Sequence, residues 1–257
     1  LLSFPVLWSG YSEVSLQVQA FDPGSGKKLY QDRFLRRTST SGQALRHLSS
    51  ADIAALDRVP RLNLINSISG IKPANLIGTA SQQGAPNLAI FSSVVHLGSN
   101  PPLMGMVLRP TGDVPRHSYE NLKATGCYTL NQVGREWVEK AHYTSAKVPR
   151  EVSEFEVCGL TPEWVDGFPA PFVRESRLRI GLRFRAEVPI ELNGTILVIG
   201  EVEHLMVPEE VLEAGGHMDL GEMAAAGISG LNTYYGMEKI ARFPYARPHE
   251  IPDFGAK

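Results

Sequence analysis

Between residues 74 and 207 the chain keeps returning to short apolar runs, rich in Val, Ile, Leu and Thr and closed by Gly, Pro or Asn. That pattern limits the fold more than any other feature, because its period and length suit strands rather than helices. "ANLIGTAS", "NLAIFSSVV", "LMGMVLR", "GCYTLNQV", "LRIGLRFRAEVPI" and "GTILVIGEVEHLMV" all read as β-strands. "QQGAP" supplies a hairpin turn between the first two, made irregular by Pro86. Helices are expected near "PRHSYENLKATG" and "REWVEKAHYTSA", with a shorter one at "PEEVLEAG". Many strands with a few inserted helices predict a mainly β fold, a closed antiparallel β-barrel, since closure removes exposed strand edges. There is no internal repeat.

Residues 1–45 read differently from the remainder, 46–257. "FDPGSGKK" is turn chemistry, "RRTSTSGQ" is polar, and "VSLQVQAFD" between them alternates like a short strand. We expect an N-terminal extension there, weakly ordered or folded as an appended hairpin. "GSGKK" is not a phosphate loop: the first glycine of that motif is missing and Lys28 stands where Ser or Thr is needed. The apolar start "LLSFPVLWSG" has no basic segment before it and no small-residue cleavage site after it. It reads as a fragment edge or an upstream extension of the reading frame, not a signal peptide. A helix is expected to begin near Ser49 or Ser50, with Ser50 as N-cap and Ile53 and Leu56 on one face.

Composition narrows the function classes. A formal net charge of -2 over 257 residues gives no case for nucleic-acid binding. No apolar run approaches the roughly 18 residues of a membrane span. Cys127 and Cys158 read as two buried thiols of a reducing cytoplasm, so the expected location is cytoplasmic. H-E-x-x-H, C-x-x-C, G-x-S-x-G and G-x-G-x-x-G are all absent, and the seven histidines are scattered. No metal site is expected.

What remains is one phosphate-friendly cluster. Arg109 closes a strand, and "PTGDVPRHSYENL" then turns into a helix. Pro115 suits a first helical turn and Asp113 a cap. The helix start would offer free N–H groups and a positive dipole end beside Arg109, Arg116, His117 and Ser118. Two readings stand at this point: a seat for a phosphomonoester, or a capped surface helix with solvated arginines. Ser92 and Ser93 also have two readings. They end a strand by bonding local backbone, or one hydroxyl meets the polar edge of a flat heterocycle partly covered by Phe91 or Ile90.

The ordered set "KPANLIGTAS…GAPNLAIFSSVVHLGSNPPLMGMVLR…PRHSYENLKATGCYTLN", continued by "AHYTSAKVPREVSEFEVCGL", "APFVRES", "NGTILVIGEVEHL" and "ARFPYARP", resembles the flavin reductase-like, FMN-binding split-barrel family. The resemblance covers about residues 46–250. It implies a split β-barrel homodimer holding FMN near the subunit boundary. By position it implies that Thr79, Asn87, Ala89, Ile90, Phe91, Ser92 and Ser93 line the isoalloxazine and ribityl chain. Arg109, His117 and Ser118, supported by Asn121, would then hold the phosphate. His142, Ser145 and Lys147 match a second segment near the flavin, with His142 as the one catalytic candidate. The implied activity is NAD(P)H-dependent flavin reduction, with NADH or NADPH as transient donor. The alternative is a flavoredoxin-like electron carrier without NAD(P)H turnover of its own.

Overall fold

The structure is a computed structural model that describes residues 14–21, 28–38, 44–112 and 114–255, with side chains from Leu45 onward. Two compact units divide between Leu62 and Asn63. The expectations for "LLSFPVLWSG", for the turn at residues 22–27 and for Asp113 lie outside the described residues.

In the first unit β1 (Val14–Phe21) pairs antiparallel with β2 (Lys28–Thr38), and β2 pairs with the short β3 (Ala44–Leu45). Helix α1 spans Ser50–Ala55. Its cap is Ser49, not the expected Ser50. Ser49 Oγ accepts the Asp52 amide at 3.2 Å, and Asp52 Oδ2 accepts the Ser49 amide at 2.8 Å. Such a reciprocal box needs an acid or amide three residues on, and Ser50 has Ile53 there. Helix α2 (Arg58–Ser67) follows, and the division between the units falls within it.

The second unit contains the remaining strands: β4 (Lys72–Pro73), β5 (Asn75–Ala80), β6 (Pro86–Phe91), β7 (Val94–Ser99) and β8 (Pro102–Leu108). After helix α3 (His117–Thr125) come β9 (Cys127–Gln132), α4 (Val138–Tyr143) and α5 (Glu154–Val157). The chain ends in β10 (Pro162–Val165), β11 (Phe168–Val173), β12 (Arg179–Ile190), β13 (Thr195–Met206), β14 (Ala226–Ser229) and β15 (Thr233–Gly236). Every strand run read from the sequence is present, but "NLAIFSSVV" breaks at Ser92 and Ser93 into β6 and β7. "PEEVLEAG" yields only a 3-10 turn, Glu209–Val211.

One seven-stranded antiparallel sheet dominates, in the order β6-β5-β9-β12-β13-β8-β7. Its two edge strands are consecutive in the chain, linked only by Ser92 and Ser93. Laid flat, seven strands would put the edges about 29 Å apart. Three peptide steps reach at most about 11 Å. The sheet must therefore curl until β7 comes round to β6, so the barrel closes through the chain itself rather than through a ladder. Ser93 pins the seam: its hydroxyl donates to Val107 O at 2.7 Å and its carbonyl accepts the Val107 amide at 3.1 Å. Ser93 therefore bonds backbone as one reading expected, but the backbone of Val107, fourteen residues on, rather than a local neighbour.

Ile77, Met106, Tyr128, Leu130, Leu182 and Val198 belong to the main core cluster, all nearly inaccessible. A second cluster, containing Leu76, Leu88, Val133, Phe155 and Ile228, lies where the other face of β5 and β6 meets α5 and β14. Buried polar groups fasten β11 across the sheet. Thr129 Oγ donates to Pro171 O at 2.6 Å, and Asn131 Oδ1 accepts the Val173 amide at 2.9 Å. The approach leaves no room at Gly78, where a Cβ would stand 2.2 Å from Pro171 O. Among the described residues no helix is long and apolar enough to cross a membrane.

Candidate functional site

The local reason for a site near β6 is its free edge. Asn87 pairs with Thr79 and Leu88 with Gly78 across the β5–β6 ladder. The Leu88 amide turns away from β5 and donates to Glu154 Oε2 at 3.0 Å. Backbone direction alternates along an antiparallel strand. The Ile90 N–H and C=O therefore also point away from β5, presenting one donor and one acceptor at the sheet edge. The neighbouring Ala89 and Phe91 are half-buried, with Phe91 packed on the main core and Ile90 on the second cluster.

Four of the residues named from the sequence meet at one end of this strand. Asn87 Nδ2 donates to Thr79 Oγ1 at 3.1 Å and to Ser118 Oγ at 3.0 Å, and Asn121 Nδ2 donates to Thr79 Oγ1 at 3.3 Å. All four side chains are buried. The cluster clamps the first turn of α3 onto β5 and β6. Leu122, fully buried in the core, holds the same helix from below.

That helix begins at His117, with Arg116 as N-cap and no side-chain cap bond. Pro115 therefore precedes the cap instead of occupying the first turn, and the amides of His117, Ser118 and Tyr119 have no intrahelical acceptors. Arg116 Nε donates to Pro110 O at 3.2 Å, which ties the helix start back to the end of β8. Arg109, next to Pro110, is exposed. The helix start thus leaves three amides without intrahelical acceptors beside the half-buried Arg116 and His117, with Glu120 also in its first turn.

The second expected segment lies beside the other face of β6. Helix α4 packs against β6. His142 Nδ1 lies 3.1 Å from the hydroxyl of Tyr234 on β15, and the two rings meet edge to face. Burial pushes the Tyr234 phenol up, so it stays protonated at neutral pH. Ser145 Oγ donates to His142 O at 2.7 Å, while Lys147 is exposed. Ser92 is half-buried at the seam and its hydroxyl makes no hydrogen bond among the described residues.

Sequence reasoning missed Glu154 and Tyr234. Each acts on a partner far along the chain, 66 and 92 residues away; Glu154 lies within the quoted segment 141–160 but nothing in it singles the glutamate out, and Tyr234 lies in no quoted segment.

Three comparisons place this geometry. A split barrel protein of Shewanella frigidimarina NCIMB 400, assigned as a flavin reductase, is 48% identical. It superposes with a TM-score of 0.76 over 79% of this chain and all of its own. Nitrilotriacetate monooxygenase component B of Bacillus cereus shares the fold, at 18% identity and a TM-score of 0.69 over 78% of this chain and all of its own. The flavoredoxin of Desulfovibrio vulgaris (Miyazaki F) shares it at 22% identity and 0.59, over 68% of this chain and 92% of its own. Residues 70–224 match the profile of the flavin reductase like domain, and with that span and the Shewanella likeness the chain belongs to the flavin reductase like family.

Proposed function

We propose that this protein is an FMN-binding, NAD(P)H-dependent flavin reductase that works as a cytoplasmic homodimer. The observation that carries the reading is the buried Thr79–Asn87–Ser118–Asn121 cluster, which fixes an uncapped helix start beside the free edge of β6. A flavin mononucleotide has the matching polarity. Its ring ends in alternating acceptors and donors suited to the outward backbone of Ile90 and the Ser92 hydroxyl. Its other end is a phosphomonoester suited to the α3 amides, Arg109, Arg116 and His117. A terminal phosphate fits one helix start better than an internal diphosphate does, which favours FMN over FAD.

When bound, the flavin supplies the electron-accepting ring to which a nicotinamide passes hydride. The chain's own residues then bind, orient and shield. Phe91 or Ile90 would cover part of the ring, and the outward backbone of Ile90 would hold its polar edge. No side chain is required to move a proton during hydride transfer. His142, held by Tyr234, serves as a positioning group. The test is direct: the purified protein should be yellow and should release FMN on denaturation, identified by chromatography. Mixed anaerobically with NADH or NADPH, its yellow band should bleach within turnover time. Colourless protein whose titration leaves flavin fluorescence unchanged would refute the binding. A yellow protein that neither donor bleaches would make it an electron carrier.

A further inference from the structure

Strand β6 is an edge of the seven-stranded sheet, so every second residue turns its N–H and C=O away from the ladder. Pro86, Leu88 and Ile90 are those residues, and Pro86 has no N–H to offer. The edge therefore carries two outward donors, about 6.8 Å apart. Only one of them is taken. Glu154 Oε2 accepts the Leu88 amide at 3.0 Å, while the Ile90 amide has no acceptor among the described residues. The acceptor is a costly one. Glu154 is 7% exposed, and no Lys, Arg or His pairs with it among the described residues. A carboxyl group is a poor choice for burial when a hydroxyl or an amide could make the same bond. It is also firmly placed. Phe155, the next residue, is 2% exposed and belongs to the same core cluster as Leu88. The Cys158 amide donates to Glu154 O at 3.0 Å, and Lys140 Nζ donates to Gly159 O at 2.8 Å, which ties the end of α5 to the helix that carries His142.

We propose that Glu154 is a positioning residue: it closes the edge of β6 at Leu88 and leaves Ile90 as the single backbone donor that this edge offers to the flavin ring. The proposal rests on the flavin reading above and assigns a residue to its ring end. Two open donors would let a flat ring with a polar edge settle in either of two registers along the strand. Closing one leaves one register, which is the pre-organisation that hydride transfer between stacked rings demands. The same strand is held one residue earlier by other means, since the Asn87 side chain donates to Thr79 and Ser118. Successive residues are thus pinned through a side chain and through the backbone, the first toward α3 and the second toward α5. Because Glu154 acts at the ring end, its removal should touch riboflavin as much as FMN, unlike any change at the α3 start.

The experiment reads amide hydrogen exchange by NMR on the full chain, with flavin binding scored separately by fluorescence titration. In the apo protein the Leu88 amide should exchange about a hundredfold more slowly than the Ile90 amide. Added FMN should slow Ile90 and leave Leu88 as it was. Glu154→Gln keeps an acceptor oxygen, so it should keep this pattern and bind both flavins within about threefold of wild type. Glu154→Leu removes the acceptor; it should release the Leu88 amide and weaken FMN and riboflavin alike by about tenfold, the worth of one hydrogen bond. If Glu154→Leu does not fold, the wild-type exchange pattern and the Glu154→Gln titrations still decide. Leu88 and Ile90 amides that exchange alike in the apo protein would overturn the proposal. So would a Glu154→Leu chain that binds both flavins as wild type does, or a Glu154→Gln chain that loses both, which would make the charge and not the hydrogen bond the agent. A protein that binds no flavin, yet has a slow Leu88 amide that Glu154→Leu releases, would refute the flavin reading and leave Glu154 as the closure of the strand edge.

Discussion

Asn87→Ala tests whether the buried cluster organises the site. The side chain donates two hydrogen bonds, at 3.1 Å to Thr79 and 3.0 Å to Ser118, from a position only 9% exposed. Each such bond contributes about 1 kcal/mol net, and a buried hydroxyl left without its donor adds a similar cost. Thr79 keeps its bond from Asn121, whereas Ser118 loses its only side-chain partner among the described residues. The loss should total about 2–3 kcal/mol. For a unit of this size a kcal/mol shifts the melting temperature by about 2–4 °C, so the expected drop is ~4–12 °C in calorimetry of the apo protein. The second readout is ligand-specific. Releasing Ser118 loosens the α3 start, so FMN should weaken by roughly tenfold, about 1.4 kcal/mol, while riboflavin, which has no phosphate, changes far less. A melting temperature within a degree of wild type would show that the cluster carries no cooperative energy. Equal weakening of both ligands would separate the cluster from any phosphate and refute the reasoning.

Arg109→Ala should cost FMN about tenfold to a hundredfold in affinity, the worth of a charge-assisted bond, and leave riboflavin unchanged in the same fluorescence titration; Arg109→Lys should recover only part of the loss. If Arg109→Ala binds FMN as wild type does, the phosphate is held elsewhere, with Arg116 next in line. His142→Asn should keep the anaerobic rate of flavin reduction within about tenfold, a small effect beside the 10²–10⁴ of a general acid; a larger fall would make the imidazole a proton donor. Gly78→Ala should lower the urea midpoint by about 1–3 kcal/mol equivalent through overpacking, since the new methyl meets the Pro171 carbonyl and Thr129 Oγ1; an unchanged midpoint would mean β11 can retreat freely. A chain starting at Arg46 should retain flavin content and oligomeric mass, and loss of either would assign residues 1–45 to the working assembly.

The long strands were legible because each couples an apolar pattern to a turn signal, as in "NLAIFSS" and "GTILVIGEVEHL". β11 was hidden for a physical reason. Its sequence "FPAPFV" carries Pro169 and Pro171, which argue against an interior strand. The prolines are tolerated because β11 ladders only with β10, and Pro171 contributes a carbonyl to Thr129 instead of an amide to a neighbour. The break between β6 and β7 was legible as an oddity, two serines inside an apolar run, but its closure role depends on Val107 fourteen residues on. The site divides in the same way. Thr79, Asn87 and Asn121 were named through family resemblance and Ser118 also from the helix start, and the fold links the four by hydrogen bonds. Glu154 and Tyr234 could not be read, since nothing local marks which distant strand a glutamate or a phenol will meet.

The strand order has a kinetic consequence. β5 and β6 form a local hairpin, as do β7 and β8, yet these pairs occupy opposite flanks of the ladder, with β9, β12 and β13 inserted between them. β8 finds its inner neighbour β13 about ninety residues later in the chain, so two early hairpins must wait for a late one before any ladder joins them. Such long-range pairing makes folding slow relative to local topologies of the same length. It also sets an order of events: the residues of β6 and the end of β8 are synthesised early but are brought into fixed register only when the β12–β13 hairpin docks. A cofactor that needs both flanks can select the finished barrel, but it has little to grip in the nascent one, and so it stabilises the product of folding without guiding its first steps.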